Sequence, residues 1–378
     1  MTTVPRVERL SAPAVRQLAK GAPPDAIDLG LGQPGWALPE PARQALAAAG
    51  AEEAPCPYGP NEGLPALVEA VADHHRTDPG QVLVTHGAQG ALFALFQAHV
   101  NPGQRVLVPD PGFPGYRTLA TLCGGEVVPY RLGPRGRLDP DALGHALQAA
   151  AADGDVAMVL LNHPSNPTGG GATAEALAEA AELAGRHGAL VISDEVYREL
   201  HLGHPDRRQA SLHDVTDEGV VVSSVSKAWA APGLRVGWAV GRPDLLAPAR
   251  LVHAAMTTAP ARPSQLAAAA LLRESATVLA ESCSQLVRRW SVAQTAPHPV
   301  AAAVTPAGGF YHWLELPAWA LADPMAFCLR LRDEGLVTVV PGSAFGNAGN
   351  DHVRISCGGD PRQLAEGLRR LDRFWRAP

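Results

Sequence analysis

One lysine stands out by its neighbours. Lys227 lies in the run Ser224-Val225-Ser226-Lys227-Ala228-Trp229-Ala230-Ala231-Pro232-Gly233-Leu234-Arg235-Val236-Gly237, directly after the apolar stretch Val220 to Val225. A free lysine has a pKa near ~10.4, so at neutral pH nearly all of it is protonated and unreactive. A lysine that holds an aldehyde cofactor as an imine escapes that limit, because the electrophilic carbon is already activated. A phosphorylated cofactor would also need a cation and hydroxyl donors. Arg235 offers a planar fork suited to phosphate, and Ser224 offers a donor.

Other segments carry matching chemistry. Thr85-His86-Gly87-Ala88-Gln89-Gly90-Ala91-Leu92 follows a strand pattern and opens a helix, where free amides and a partial positive charge suit a phosphate. Any tight strand-to-helix turn also wants a glycine. Val191-Ile192-Ser193-Asp194-Glu195-Val196-Tyr197 puts two acids at a strand end. A carboxylate beside a pyridinium raises that nitrogen's pKa by roughly one to three units, and the protonated ring is an electron sink. An acid there also suits a helix N-cap. In His352-Val353-Arg354-Ile355-Ser356 a single arginine lies on a strand, able to grip a carboxylate in bidentate fashion or to make an ordinary ion pair.

The lysine run resembles the signature of the class I/II aminotransferases, the aspartate aminotransferase-like, fold-type-I enzymes that use pyridoxal 5'-phosphate. The likeness extends in order from about Ile27 to Ser356. It implies that Lys227 forms an aldimine with the cofactor and later moves the substrate Cα proton. The backbone of Ala88 and Gln89, with Ser224 and Arg235, would bind the phosphate. Asp194 would face the ring nitrogen, with Glu195 structural, and Tyr197 would bond the ring 3-oxygen. Asn162-His163-Pro164-Ser165-Asn166-Pro167-Thr168-Gly169 resembles the family's Asn-Pro-x-Asn-Pro-Thr-Gly loop, so Asn166 would donate to the 3-oxygen near the substrate carboxylate. In Pro109-Asp110-Pro111-Gly112-Phe113-Pro114-Gly115-Tyr116, Phe113 would stack on the ring. Arg354 would bind the substrate α-carboxylate. Gly32, in Gly30-Leu31-Gly32-Gln33-Pro34, would bring backbone close to it. Tyr58, in Tyr58-Gly59-Pro60-Asn61-Glu62-Gly63, would reach the phosphate of a partner subunit, making a homodimer with shared active sites.

These residues need a scaffold. Gln81 to Thr85, Arg105 to Pro109, Val156 to Asn162, Ala189 to Ser193, Val220 to Val225 and Val236 to Val240 read as strands buried on both faces. Helical patterns such as Ala88 to Val100 and Thr173 to His187 alternate with them, which argues for an α/β layer with a mainly parallel sheet. Such sheets gather ligand groups at strand carboxyl ends, where Asn162, Asp194 and Lys227 fall. After residue 255 the pattern becomes α+β. Pro260 to Trp290 reads as mostly helical, Gly309 to Leu316, Leu336 to Val340 and His352 to Cys357 as strands, and Ala322 to Glu334 and Pro361 to Trp375 as helices. The proline-rich first forty residues read as an extended arm. The expected division is an arm over 1–40 joining a small domain at 256–378, around a large domain at 41–255.

Composition narrows the classes. A chain of 378 residues with 46% hydrophobic residues suits two domains, and its net charge of -6 gives no polyanion-binding surface. Met1 to Leu10 lacks the apolar core of a secretory signal, and no stretch approaches ~18 uninterrupted apolar residues. Five scattered cysteines without Cys-x-x-Cys spacing suggest reduced thiols and a cytoplasmic setting. His201-x-x-His204 lacks a third ligand and is not read as a metal site. His74-His75 reads as solvated, and Trp229 and Trp238 as core. The expected function is transamination between an amino acid and a 2-keto acid. The alternative keeps the cofactor for a β-lyase, racemase, decarboxylase or cyclase reaction. A cofactor-binding regulatory module and a nicotinamide oxidoreductase fit less well, for want of a DNA-binding extension or a Gly-x-Gly-x-x-Gly turn.

Overall fold

The computed structural model describes residues 4–10, 14–53, 56–202, 208–297, 299–300 and 305–376. Its strands run in chain order as β1 (Ile27–Asp28), β2 (Val82–Thr85), β3 (Arg105–Asp110), β4 (Glu126–Arg131), β5 (Val156–Asn162), β6 (Leu190–Asp194), β7 (Gly219–Ser224), β8 (Gly237–Val240), β9 (Tyr311–Glu315), β10 (Val337–Thr338), β11 (Val340–Pro341) and β12 (His352–Ser356). The central sheet has seven strands in the order β2-β8-β7-β6-β5-β3-β4. All neighbours are parallel except β8, which runs antiparallel to β2 and β7.

The apolar runs are continuous because both sheet faces are covered. Val106, Val108, Leu160, Ile192 and Val222 join one core cluster, whereas the alternate residues Leu107, Val159, Leu161, Val191 and Val221 join another. The helices are α1 (Pro5–Glu8), α2 (Ala14–Lys20), α3 (Glu40–Ala51), α4 (Pro65–His75), α5 (Gly87–His99), α6 (Pro114–Cys123), α7 (Pro140–Asp153), α8 (Ala174–Arg186), α9 (Pro243–Thr257), α10 (Arg262–Arg273), α11 (Ser275–Gln294), α12 (Pro324–Asp333) and α13 (Pro361–Arg376). Cluster membership puts α5, α6 and α9 on one face and α4, α7, α8 and α10 on the other. Side chains cap α7, through Asp139, and α8, through Thr173. The first turn of α5 has no such cap, so its leading amides stay free for another acceptor.

A second, three-stranded antiparallel sheet has the order β11-β12-β9. Beside it β1 pairs with β10, Ile27 opposite Val337. Leu29 N donates to the Thr338 carbonyl, and Ser356 N donates to the Leu29 carbonyl. The chain's start is thereby tied to its end.

Two expectations differ from this structure. The first forty residues are not wholly extended, since they contain α1 and α2. Ala14–Lys20 is built from helix-favouring Ala, Arg, Gln, Leu and Lys, and buries Leu18. His74 and His75 are not solvated either. The Trp238 indole donates to His75 Nε2 at 2.9 Å, and His74 Nε2 lies 3.2 Å from buried Glu199. Burial, followed by the neighbouring His74, holds the His75 pKa well below the usual imidazole value.

Gly237 on β8 sits where a Cβ would collide with the backbone of Gly87 and Ala88. The expected effect of Gly237→Ala is a loss of about 1–3 kcal/mol, since backbone and not a flexible side chain must yield. A thermal melt against wild type checks it; an unchanged melting temperature would contradict this packing.

Candidate active site

The parallel strands deliver their carboxyl ends to one edge. There β5 ends in Asn162, β6 in Asp194 and β7 in Ser224, three residues before Lys227. Lys227 Nζ donates to the Gly32 carbonyl at 2.6 Å and lies 5.6 Å from the Tyr197 ring centroid. Burial is the main reason its pKa is lowered; Arg354 and Arg235 add to the lowering, while Tyr311 and Asp194 oppose it. A larger share of neutral amine follows, which is what nucleophilic attack on a carbonyl requires.

Asp194 is 5% exposed. Its Oδ2 accepts from the Tyr116 hydroxyl at 2.8 Å and its Oδ1 from Val196 N at 3.3 Å. Burial pushes its pKa up to about 6, while the two hydrogen bonds and Lys227 hold it down. A chain of bonds leads away from it. Asn162 Nδ2 donates to the Asp194 carbonyl, and Asn166 N donates to Asn162 Oδ1 at 2.8 Å. Asn166 Oδ1 then accepts from Arg354 Nη1 at 2.8 Å, while Arg354 Nη2 donates to the Gly30 carbonyl at 2.5 Å. With its oxygen so engaged, Asn166 has its NH2 left to donate. Arg354 is buried, and its Nε has no partner among the described residues.

The lysine loop and the start of α5 form a cradle. The Arg235 guanidinium packs over Gly87, whose absent Cβ would lie 2.6 Å from Nη2. Gly87 has φ +68°, and Gly237 lets β8 approach the Gly87–Ala88 peptide. Ser224 is buried, whereas Gln89 is exposed. Free amides, a cation and a glycine gap are the groups a phosphate-sized anion would need. An acid for a ring nitrogen, an amine for an aldehyde and this cradle fit a phosphorylated pyridine aldehyde.

Phe113 is half-buried, with its ring 5.3 Å from that of Tyr116, whose hydroxyl bonds Asp194. Not every expected residue converges. Tyr58 is 89% exposed and does not join the site within one chain. Glu195 is occupied structurally, accepting from Ser193, Ser211 and Leu212 N. His204 lies outside the described residues. Among those described, no group of three or more His, Cys, Asp or Glu is placed to hold a metal ion. Two residues not foreseen belong here. Tyr116 bonds Asp194, and Tyr311 bonds the Tyr197 hydroxyl at 2.8 Å. Tyr116 stood in the Phe113 segment, one helical turn on; Tyr311 carried no local signal beyond lying on a strand.

The sequence model described as aminotransferase class I and II matches residues 24–371. The chain is 32% identical over 379 residues to valine–pyruvate aminotransferase of Mycobacterium tuberculosis, covering 95% of this chain and 93% of that protein. It is 29% identical over 374 residues to aspartate aminotransferase of Bacillus subtilis, with 94% and 92% covered. The solved structure of Thermus thermophilus aspartate aminotransferase with maleate superposes with a TM-score of 0.87 at 27% identity, over 99% of this chain and 100% of that one.

A buried acid with a raised pKa makes the ligand-free protein less stable as pH rises from 3.8 through about 6, because the unfolded chain releases the proton first. Two units at 1.36 kcal/mol each give about 3 kcal/mol. Asp194→Asn therefore flattens this slope and stabilises the ligand-free protein above pH 6, even as activity is lost. Melts across pH 4 to 8 test it; a variant with the wild-type slope would sink it.

Proposed function

The chain belongs to the class I and II aminotransferases, pyridoxal 5'-phosphate enzymes that move an amino group between an amino acid and a 2-keto acid, and on that premise we propose that Lys227 is the residue that holds the cofactor and shuttles the substrate proton. The single observation that carries the proposal is the meeting of a half-buried, pKa-lowered Lys227 with a buried Asp194 at one sheet edge, each within electrostatic reach of the other. When bound, the cofactor supplies an aldehyde for amines to condense with and a protonated ring that accepts the electrons of a Cα carbanion.

The remaining roles follow from placement. Asp194 keeps the proton on the ring nitrogen; a cation beside it favours its charged form over its buried neutral one. The amides of Ala88 and Gln89, the Ser224 hydroxyl and Arg235 hold the phosphate. Tyr197 and the free NH2 of Asn166 donate to the ring 3-oxygen, and Phe113 covers a ring face. Arg354, with Asn166 and the Gly32 backbone, grips the substrate α-carboxylate. That group is common to every α-amino acid and 2-keto acid, so this grip defines the substrate class. The neutral Nζ of Lys227 would take the substrate Cα proton and deliver it to the cofactor's C4′ carbon.

Tyr58 supports a dimer. A phenol so exposed has no role within its own chain's cradle, and the second copy's phosphate is the site it is assigned to reach. No helix among the described residues is long and apolar enough to cross a membrane. The scattered cysteines without Cys-x-x-Cys spacing support a cytoplasmic setting.

Lys227→Ala is expected to abolish turnover and the visible absorbance of bound cofactor while the far-ultraviolet dichroism stays unchanged; normal activity in this variant would refute the assignment. Arg354→Ala should lower kcat/KM for amino and keto acids by about a hundredfold or more, mostly through KM. An unchanged response to both substrates would remove Arg354 from the site. Tyr58→Ala should weaken cofactor retention, and sedimentation should give twice the chain mass; a monomer that retains full cofactor affinity would refute the shared site.

A further inference from the structure

We propose that Tyr311 is a positioning residue that ties the carboxylate clamp to the ring-oxygen donor, so that one side chain sets both halves of the site. This rests on the function proposed above. Its grounds are contacts that no role assigned so far requires.

Tyr311 begins β9, opposite Ser356 of β12, while Arg354 lies opposite Trp313. Residues 311, 313, 354 and 356 therefore share one face of the small sheet. The Arg354 guanidinium sits 4.3 Å from the Tyr311 ring centroid and 4.8 Å from that of Phe345. It is enclosed between two aromatic rings, which limits where its fork can point. The far end of Tyr311 crosses to the large sheet, where its hydroxyl meets that of Tyr197 at 2.8 Å. Gly32 lies against the same hydroxyl, and a Cβ there would collide with it. The Gly32 carbonyl in turn holds Lys227 Nζ. One phenol thus touches the clamp, the ring-oxygen donor and the segment that holds the lysine.

The direction of the hydroxyl pair follows from the ligand. Burial, then the neighbouring Tyr311, pushes the Tyr197 pKa well above the usual phenol value, so Tyr197 keeps its proton. With a ring oxygen as acceptor, Tyr197 donates outward and takes its own hydrogen bond from Tyr311. A donor at its back makes Tyr197 a stronger donor in front. Stronger donation favours the ionised ring oxygen, and so lowers the pH at which the cofactor-loaded site gains its proton.

Two variants separate the hydroxyl from the ring. Tyr311→Phe keeps the surface under Arg354 and removes only the hydroxyl. It should raise the midpoint of the pH titration of the cofactor's visible absorbance by about half a unit to one unit, and lower kcat about three- to tenfold with little change in KM. Tyr311→Leu should do the same and also raise KM for the amino acid at least severalfold, because Arg354 loses a wall. A double-mutant cycle of Tyr311→Phe with Tyr197→Phe, read on the titration midpoint, should be strongly non-additive. An additive cycle, or a Tyr311→Phe midpoint equal to wild type, overturns the inference while leaving the proposed function intact. An unchanged KM in Tyr311→Leu also overturns it, as does a melting curve of the cofactor-free variants showing that all losses track unfolding. A wild-type protein that takes up no cofactor overturns both readings.

Discussion

The site depends on keeping a carboxylate where water does not reach it. Asp194 has a backbone fixed by Asn162 and a side chain with hydrogen bonds from Tyr116 and Val196, and among the described residues no cation is bonded to it. Those bonds leave lone pairs unmatched, and burial drives its pKa up to about 6. Such a group changes form near pH 6, closer to neutrality than a solvated carboxyl. A cationic ring nitrogen beside it would select the charged form, and the same carboxylate would hold the proton on that nitrogen. The lost stability and the function have one origin.

Topology explains how the other groups come to surround it. Parallel neighbours place Asn162, Asp194 and Ser224 on one edge. The reversed strand β8 supplies the rest. Because it runs antiparallel, its first residue, Gly237, lies opposite both Thr85 at the end of β2 and Ser224 at the end of β7. Arg235 precedes Gly237 and Gly87 follows Thr85, so guanidinium, helix start and serine meet there. A parallel strand in that position would have placed Gly237 at the opposite edge. The antiparallel course of β8 within the central sheet is thus what brings these groups together.

The long buried strands were legible because each face of the sheet is covered, which leaves uninterrupted Val, Leu and Ile. β4 was not. It lies at the sheet edge, it is partly exposed, and it carries Glu126, Pro129 and Arg131, so it has neither an apolar run nor strict alternation. The lysine, aspartate and arginine of the candidate site stood out because the runs around them resemble those of the family. Tyr116 and Tyr311 were not, because their roles are purely tertiary. Tyr116 finds Asp194 across 78 residues, and Tyr311 finds Tyr197 across 114. His74 and His75 misled for the same reason. Two polar rings at a helix end read as solvent-facing until Trp238 and Glu199 are brought against them from distant parts of the chain.

Arg354 mirrors Asp194. It is buried, yet its bonds go to neutral oxygens, those of Asn166 and Gly30, and no carboxylate pairs with it among the described residues. A guanidinium in such surroundings lacks the compensation that a buried charge normally requires. Lys227 is likewise held by a carbonyl and not by an acid. The acid and the two cationic side chains thus meet at one site without an ion pair among the described residues, and the neutral amides of Asn162 and Asn166 link Arg354 to the Asp194 backbone. If the chain had paired them internally, the empty protein would gain and the site would have nothing left to offer a ligand. Kept apart, each charge remains available for the role proposed for it: the acid for a protonated ring nitrogen, the arginine for a carboxylate, the amine for an aldehyde. The two asparagines hold the guanidinium in place through neutral groups, and so keep it from spending its charge on the acid.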